Sequence, residues 1–72
     1  MQYYKRIKNT REDKDYTQKE IATILKTSQS YYAQYENGHR KLPIEHLITL
    51  CKFYNLSADY LLGIIDEPRK IK

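Results

Sequence analysis

Residues 17–38 read TQKEIATILKTSQSYYAQYENG, and this stretch decides the fold. Thr17 and Glu20 have the spacing of a capping box, which predicts that a helix begins there. Ser28 is a favourable N-cap for a second helix. Gly38 predicts where that helix ends, because glycine tolerates the left-handed conformation found at helix C-termini. The stretch therefore predicts two short helices joined by a tight turn.

The second of these helices has two chemically different faces. Tyr32 and Tyr35 lie three residues apart and are predicted to face inward. The residues left facing outward are small or polar and carry no charge: Gln29, Ser30, Ala33 and Gln34. A merely solvated face would carry Lys and Glu, whereas Gln, Ser and Ala are side chains that contact base edges in the major groove. Two interpretations stay open: recognition of DNA bases, or a polar surface helix of a small helical domain.

Three short motifs and one longer stretch are spaced along the chain as in a known family. They are Thr17-Gln18-x-Glu20-Ile21-Ala22, Ser28-x-Ser30, Tyr35-Glu36-Asn37-Gly38, and the apolar pattern from Leu47 to Gly63. Together they resemble the lambda repressor-like helix-turn-helix regulators (Cro/CI type, XRE family). The resemblance implies an all-α, compact five-helix DNA-binding domain. Its members are usually transcriptional regulators that bind operators as dimers.

Side chains around the second helix are expected to hold the DNA backbone. The expected phosphate contacts are Gln18, Tyr31, Asn37, Arg40 and Lys41. A helix N-terminus attracts phosphate, and the loop over residues 37–43 offers backbone amides and basic side chains. Such contacts fix the position of the protein and carry no sequence information. For Gln18 the alternative role is capping alone, and for Tyr31 it is surface packing.

Two positions depart from the family pattern. The family usually has glycine in place of Lys26, at a turn that favours positive φ. Lys26 therefore either adopts that conformation, at a cost of about 1 kcal/mol, or the turn has a different geometry. Tyr32 stands where the family has Ile or Val, so its hydroxyl is expected to reach the surface or a partner.

Residues 2–13 predict a first helix whose inward stripe contains Tyr4, Ile7 and Arg11. An unpaired arginine on a buried face would be energetically costly. The resemblance implies that Arg11 pairs with Glu36 in a partly buried salt bridge. The alternative is that Arg11 extends to solvent and contacts phosphate.

The second half of the chain predicts two more helices. Residues 43–54 carry apolar positions at helical spacing: Leu47, Leu50, Cys51 and Tyr54. Ser57 caps a short fifth helix over residues 58–62. The domain is expected to span residues 1–65, followed by a polar tail, residues 66–72, that frays.

Tyr60, Ile64 and Ile65 have no obvious place in so small a core. We expect them to form the seam of a homodimer. A homodimer would place two recognition helices one DNA turn apart, about 34 Å, on a palindromic site. The alternative is that these side chains fold back on the first helix.

Net charge, cysteine content and the length of apolar runs limit the range of possible functions. Residues 1–41 hold nine Lys/Arg against five Asp/Glu, a net +4, while residues 42–72 hold four of each. The excess positive charge therefore lies beside the predicted helix-turn-helix, which favours nucleic acid as the partner. The single cysteine excludes an internal disulfide, and no apolar run is long enough to span a membrane. A cytoplasmic location is expected.

Other site types are not favoured. Cys51, His39 and His46 are too few for a zinc site, and no nucleophile–base pair or phosphate-binding glycine loop indicates an enzyme. We expect no cofactor and no small-molecule effector domain. The favoured function is a small repressor that occupies a double-stranded DNA operator. An antitoxin-like protein-interaction module and a nonspecific nucleic-acid binder remain as alternatives.

Overall fold

A computed structural model describes all 72 residues and contains five helices and no strand. The helices are α1 Tyr3–Asp13, α2 Gln18–Ile24, α3 Gln29–Glu36, α4 Ile44–Tyr54 and α5 Ala58–Leu61. Helix α2 packs against α3, α1 packs against both α3 and α5, and α4 packs against α5. The predicted all-α, five-helix architecture is confirmed.

Side-chain caps begin the three short helices. Glu20 N donates to Thr17 Oγ1 at 3.1 Å, and Thr17 N donates to Glu20 Oε1 at 2.9 Å. Ser28 Oγ accepts from Tyr31 N at 3.1 Å, and Ser57 caps α5 in the same way. Each cap satisfies an N–H group that the first helical turn leaves free. Local sequence therefore sets where these helices begin, as predicted.

The turn between α2 and α3 contains a residue in the left-handed conformation that is not glycine. Lys26 has φ of 58°, and Thr27 N donates to Ala22 O at 2.9 Å to close the turn. Ala22 is only 2% exposed, and its small side chain suits the close packing of the two helices. The turn thus has the first of the two geometries considered for Lys26, with the strain this implies.

The core contains three tyrosines among its aliphatic side chains. Its eleven members are Ile7, Ile21, Ala22, Leu25, Tyr32, Tyr35, Leu50, Cys51, Tyr54, Leu56 and Leu61. Tyr32 is fully buried, and neither its hydroxyl nor that of Tyr54 has a hydrogen-bond partner in the protein. Burial raises the pKa of both phenols. The Tyr32 hydroxyl does not reach the surface, because the ring lies deep in the core. The Glu36 carboxylate is the charged group that acts on it, and together with burial it raises the pKa of this phenol.

Arg6 fastens the C-terminal end of the domain to α1. Its Nη1 donates to Tyr60 O at 2.6 Å and to Ile65 O at 2.9 Å, and its Nη2 contacts Asp66 Oδ1 at 3.0 Å. The guanidinium also lies 4.1 Å from the centre of the Tyr60 ring. Arg6 is 4% exposed. The segment after α5 is therefore fixed against α1 by an arginine that the sequence pattern does not single out.

The tail over residues 66–72 has no helix but contacts the domain at two points. Ser57 N donates to Arg69 O at 2.7 Å, and Lys72 N donates to Asn55 Oδ1 at 3.3 Å. The tail therefore contacts the C-terminal end of α4 and the N-terminal end of α5, whereas its composition predicts that it frays.

Candidate nucleic-acid interface

The outer face of α3 is open to solvent. Gln29 and Ser30 are exposed, and Ala33 and Gln34 are partly exposed. Tyr32, Tyr35 and Glu36 occupy the buried side of the same helix. The four residues predicted to contact bases therefore share one solvent-accessible surface.

A buried ion pair fixes the opposite side of α3. Arg11 Nε donates to Glu36 Oε2 at 2.7 Å, and Arg11 Nη2 donates to Glu36 Oε1 at 3.1 Å. Arg11 Nη1 also donates to Tyr16 O at 2.8 Å. The Arg11 side chain is 10% exposed and the Glu36 side chain is fully buried. The arginine thus faces inward in a two-point contact, and this geometry ties α1 to the last turn of α3.

Gln18 completes this network from the first turn of α2. Its Nε2 donates to Glu36 Oε1 at 3.1 Å. Residues from α1, α2 and α3 therefore meet at a single carboxylate. The side chain of Gln18 is half-buried, and one of its two amide hydrogens stays free for an outside acceptor.

The network sets the protonation of Glu36. Burial alone would raise the pKa of this carboxyl, but hydrogen bonds led by that from Arg11 outweigh it and hold the pKa below its usual range. The hydrogen bond to Glu36 likewise raises the pKa of Arg11. Both groups are therefore charged at neutral pH, and the helix-turn-helix is held by a charge-assisted pair.

Arg40 contacts two other predicted DNA-contacting residues at one end of the outer face. Arg40 Nε donates to Gln34 Oε1 at 3.2 Å. The Arg40 guanidinium lies 4.4 Å from the centre of the Tyr31 ring. This Tyr31–Gln34–Arg40 cluster joins one predicted base-contacting residue to two predicted phosphate-contacting residues.

The loop after α3 offers side chains rather than backbone amides. Gly38 N donates to Tyr35 O at 3.3 Å, while His39 N and Arg40 N both donate to Gln34 O, at 3.0 and 3.2 Å. These amides already have partners, so the expectation that they are available to phosphate is wrong for these three residues. The side chains of Asn37, His39, Arg40 and Lys41 are exposed.

Gly38 has little room for a side chain. Its φ is +77°, and a Cβ atom there would lie 3.1 Å from the ring of Tyr4. The close approach of α1 therefore adds to the conformational reason for a glycine at the end of α3.

The predicted dimer seam is only partly open. The Tyr60 ring packs against Arg6 and the core, and Ile65 is half-buried with its carbonyl bound by Arg6. Ile64 is 69% exposed. The alternative that this segment folds back on α1 thus describes Tyr60 and Ile65, while only Ile64 of the three is mostly exposed.

The side chains offer little support for a metal site or a reactive cysteine. No group of three or more His, Cys, Asp or Glu residues is placed to hold a metal ion. Cys51 is buried, and burial raises the pKa of its thiol. None of the five helices has the length and apolar character needed to cross a membrane.

Comparison with known proteins gives concordant matches. A family model described as a helix-turn-helix domain matches residues 4–67. The regulator ImmR of Bacillus subtilis (strain 168), an HTH-type transcriptional regulator, is 40% identical over 66 residues. YobD of the same organism, described as an uncharacterized HTH-type transcriptional regulator, is 32% identical over 66 residues. Each match covers 92% of this chain, which spans 52% of the length of ImmR and 59% of that of YobD.

A solved structure matches the fold as well. The crystal structure of a transcriptional regulator from Listeria innocua superposes with a TM-score of 0.83 at 29% identity, covering 92% of this chain and 62% of that one. The family model spans most of the chain, and the capped α2–turn–α3 unit lies within it. This chain belongs to the helix-turn-helix family of transcriptional regulators, in its lambda repressor-like, XRE-type branch.

Proposed function

We propose that this domain binds double-stranded DNA sequence-specifically, with the outer face of α3 in the major groove. The observation that carries the proposal is the contrast between the two faces of α3. Its outer face presents amide, hydroxyl and methyl groups to solvent, and its inner face is fixed by the Glu36 network. Base recognition needs both, because hydrogen bonds to base edges are directional and the groups that make them must be held in place.

The side chains around α3 would hold the DNA backbone. The proposed phosphate contacts are Gln18, Tyr31, Asn37, Arg40 and Lys41. The net charge of +4 over residues 1–41 supports this assignment, because cationic side chains that neutralise phosphates supply much of the affinity of DNA-binding proteins.

We further propose that the domain acts in a cytoplasmic repressor that occupies its operator as a homodimer. The transcriptional regulators among its relatives support a regulatory role. One such domain offers few base contacts, and two copies on a palindromic site would double them.

Selection from a random DNA duplex pool at near-physiological salt tests the proposal. Enrichment of one palindromic motif is the expected result and would identify the operator. If the folded protein enriches no sequence, sequence-specific binding is refuted. A protein-interaction role or nonspecific binding would then be favoured, and strong salt dependence without sequence preference would mark the latter.

Substitution of Gln34 tests base readout on the selected site. Gln34→Ala should cost about 1–3 kcal/mol of binding on that site and little on random DNA. Gln2→Ala is a matched control, because Gln2 is an exposed glutamine whose side chain makes no capping hydrogen bond. Equal losses of Gln34→Ala on selected and random DNA would defeat the assignment.

A further inference from the structure

We propose that Arg40 determines what Gln34 recognises, by fixing the orientation of its side-chain amide. In this arrangement Gln34 presents its amide NH₂ group to the DNA and binds an acceptor on a base edge, either purine N7, guanine O6 or thymine O4. Arg40 is then a specificity-determining residue as well as a phosphate contact. This inference rests on the proposed function of α3.

Arg40 is held to Gln34 by its backbone as well as its side chain. Its backbone N donates to Gln34 O at 3.2 Å, and its Nε donates to Gln34 Oε1 at 3.2 Å. The neighbouring His39 N donates to Gln34 O at 3.0 Å. The loop therefore turns back at this point and directs the Arg40 side chain along α3 toward the outer face.

Tyr31 packs against a face of the guanidinium. It precedes Gln34 by three residues, so the two side chains are neighbours on the helix surface. The Arg40 guanidinium lies 4.4 Å from the ring centre, within the range of a cation–π contact. The planar group of Arg40 is thus bound both by the ring and by the amide oxygen.

The chemistry of the pair decides which end of the amide faces outward. Arginine has only donors, so the group it contacts on Gln34 must be the amide oxygen. The amide nitrogen then points away from Arg40 with both hydrogens free of any partner in the protein. A glutamine without such a contact can turn either its amide oxygen or its amide nitrogen toward a base. Because Arg40 holds the oxygen of Gln34, the nitrogen, a hydrogen-bond donor, is the group that faces the DNA.

Arg40 keeps donors for the DNA backbone. Its Nε is the only side-chain nitrogen with a hydrogen-bond partner in the protein, which leaves both terminal nitrogens for a phosphate. A phosphate bound there would hold Arg40 more firmly over Gln34. Backbone contact and base readout would be coupled through one side chain.

A matched pair of variants tests the proposal. Arg40→Met and Lys41→Met each remove one positive charge from the same exposed loop, and only the first removes a side-chain contact with Gln34. The Gln34 position of the selected motif is the one whose preference Gln34→Ala abolishes. Arg40→Met should reduce the preference at that position about fivefold or more, while Lys41→Met should weaken binding to all sequences alike.

Three outcomes are distinguishable. If Arg40→Met and Lys41→Met both weaken binding uniformly and leave the preference intact, Arg40 is a phosphate contact only and the inference fails. If Arg40→Met relaxes that single position, the inference stands. If the unmodified protein selects no motif, the proposed function itself fails, and the inference fails with it.

Base analogues test the direction of the hydrogen bond. At the Gln34 position, an analogue that lacks the acceptor (N7 of a purine, O6 of guanine or O4 of thymine) should lower affinity about fivefold or more. Replacing an exocyclic amino group by hydrogen at the same base pair should have little effect. The opposite pattern would mean that the amide oxygen of Gln34 reads the base, which overturns the proposal.

Discussion

At the scale of single residues, the carboxylate of Glu36 joins α1, α2 and α3. Three hydrogen bonds from Arg11 and Gln18 end on its buried carboxylate. Glu36→Gln should destabilise the fold by about 3 kcal/mol or more, because it removes the charge that is paired with buried Arg11. Urea unfolding at pH 7 measures this change.

Gln18→Ala is the graded control for this substitution. It removes one hydrogen bond from the network and should cost about 1 kcal/mol. If Glu36→Gln leaves the free energy of unfolding unchanged, Arg11 is not paired in solution, and the alternative of a phosphate-binding Arg11 would be correct.

The same carboxylate gives the fold a pH dependence. The folded-state pKa of Glu36 lies below its ordinary value, which is about 4.3 for an unperturbed glutamate. Its stabilising contribution is therefore complete above that ordinary value and is lost as the pH falls through the lower, folded-state value. The free energy of unfolding of the wild-type chain should fall more steeply with acid than that of Glu36→Gln. Parallel profiles would show that another group governs the acid response.

A long-range contact between two residues can be predicted from the sequence only where the residue types of both partners point to it. The Arg11–Glu36 pairing could be predicted because the family resemblance implies it, and Glu36 lies in one of the shared motifs. The contacts of Arg6 could not, since two of its partners are the main-chain carbonyls of Tyr60 and Ile65, more than fifty residues away. Every residue has a main-chain carbonyl, so the residue type does not show which carbonyl will be the partner. The contact of Arg40 with Gln34 was missed because it depends on how the loop folds back.

At the scale of elements, the turn at Lys26 stores strain that a glycine would relieve. Lys26→Gly should be more stable than Lys26→Ala by about 1 kcal/mol, because only glycine adopts a φ of 58° without a Cβ penalty. Both variants remove the same exposed side chain, so their difference isolates the backbone. Thermal unfolding measures it, and equal stabilities would mean that the turn relaxes to another geometry in solution.

The helices themselves were largely predictable because their signals are local. Thr17, Ser28 and Ser57 each bond within three residues of their own position, so sequence spacing alone identifies them. The end of α3 could likewise be predicted from a local signal, Gly38. The Tyr32 hydroxyl is the opposite case, since its surroundings come from α1 and α4 as well as its own helix, and no local pattern predicts them.

At the scale of the whole molecule, buried aromatic rings compensate for the small number of core residues. Tyr32 and Tyr35 pack edge to face with ring centres 6.3 Å apart, and Tyr16 packs against Tyr54 at 6.3 Å. Each ring buries a large apolar area for one position in the chain. The packing of these four rings thus accounts for half of the eight tyrosines in the chain.

Assembly is the remaining question at this scale, and Ile64 is the residue that tests it. Ile64→Asp should weaken dimerisation at least tenfold, about 1.4 kcal/mol, because a seam would bury the new carboxylate without a partner. Ile48→Asp is the matched control, since Ile48 is a 48% exposed isoleucine on α4. Sedimentation equilibrium, with and without operator DNA, measures both. If Ile48→Asp separates the copies and Ile64→Asp does not, the seam lies on α4. If the wild-type chain is monomeric even on its operator, the homodimer is refuted, because two copies on a palindrome must then bind independently.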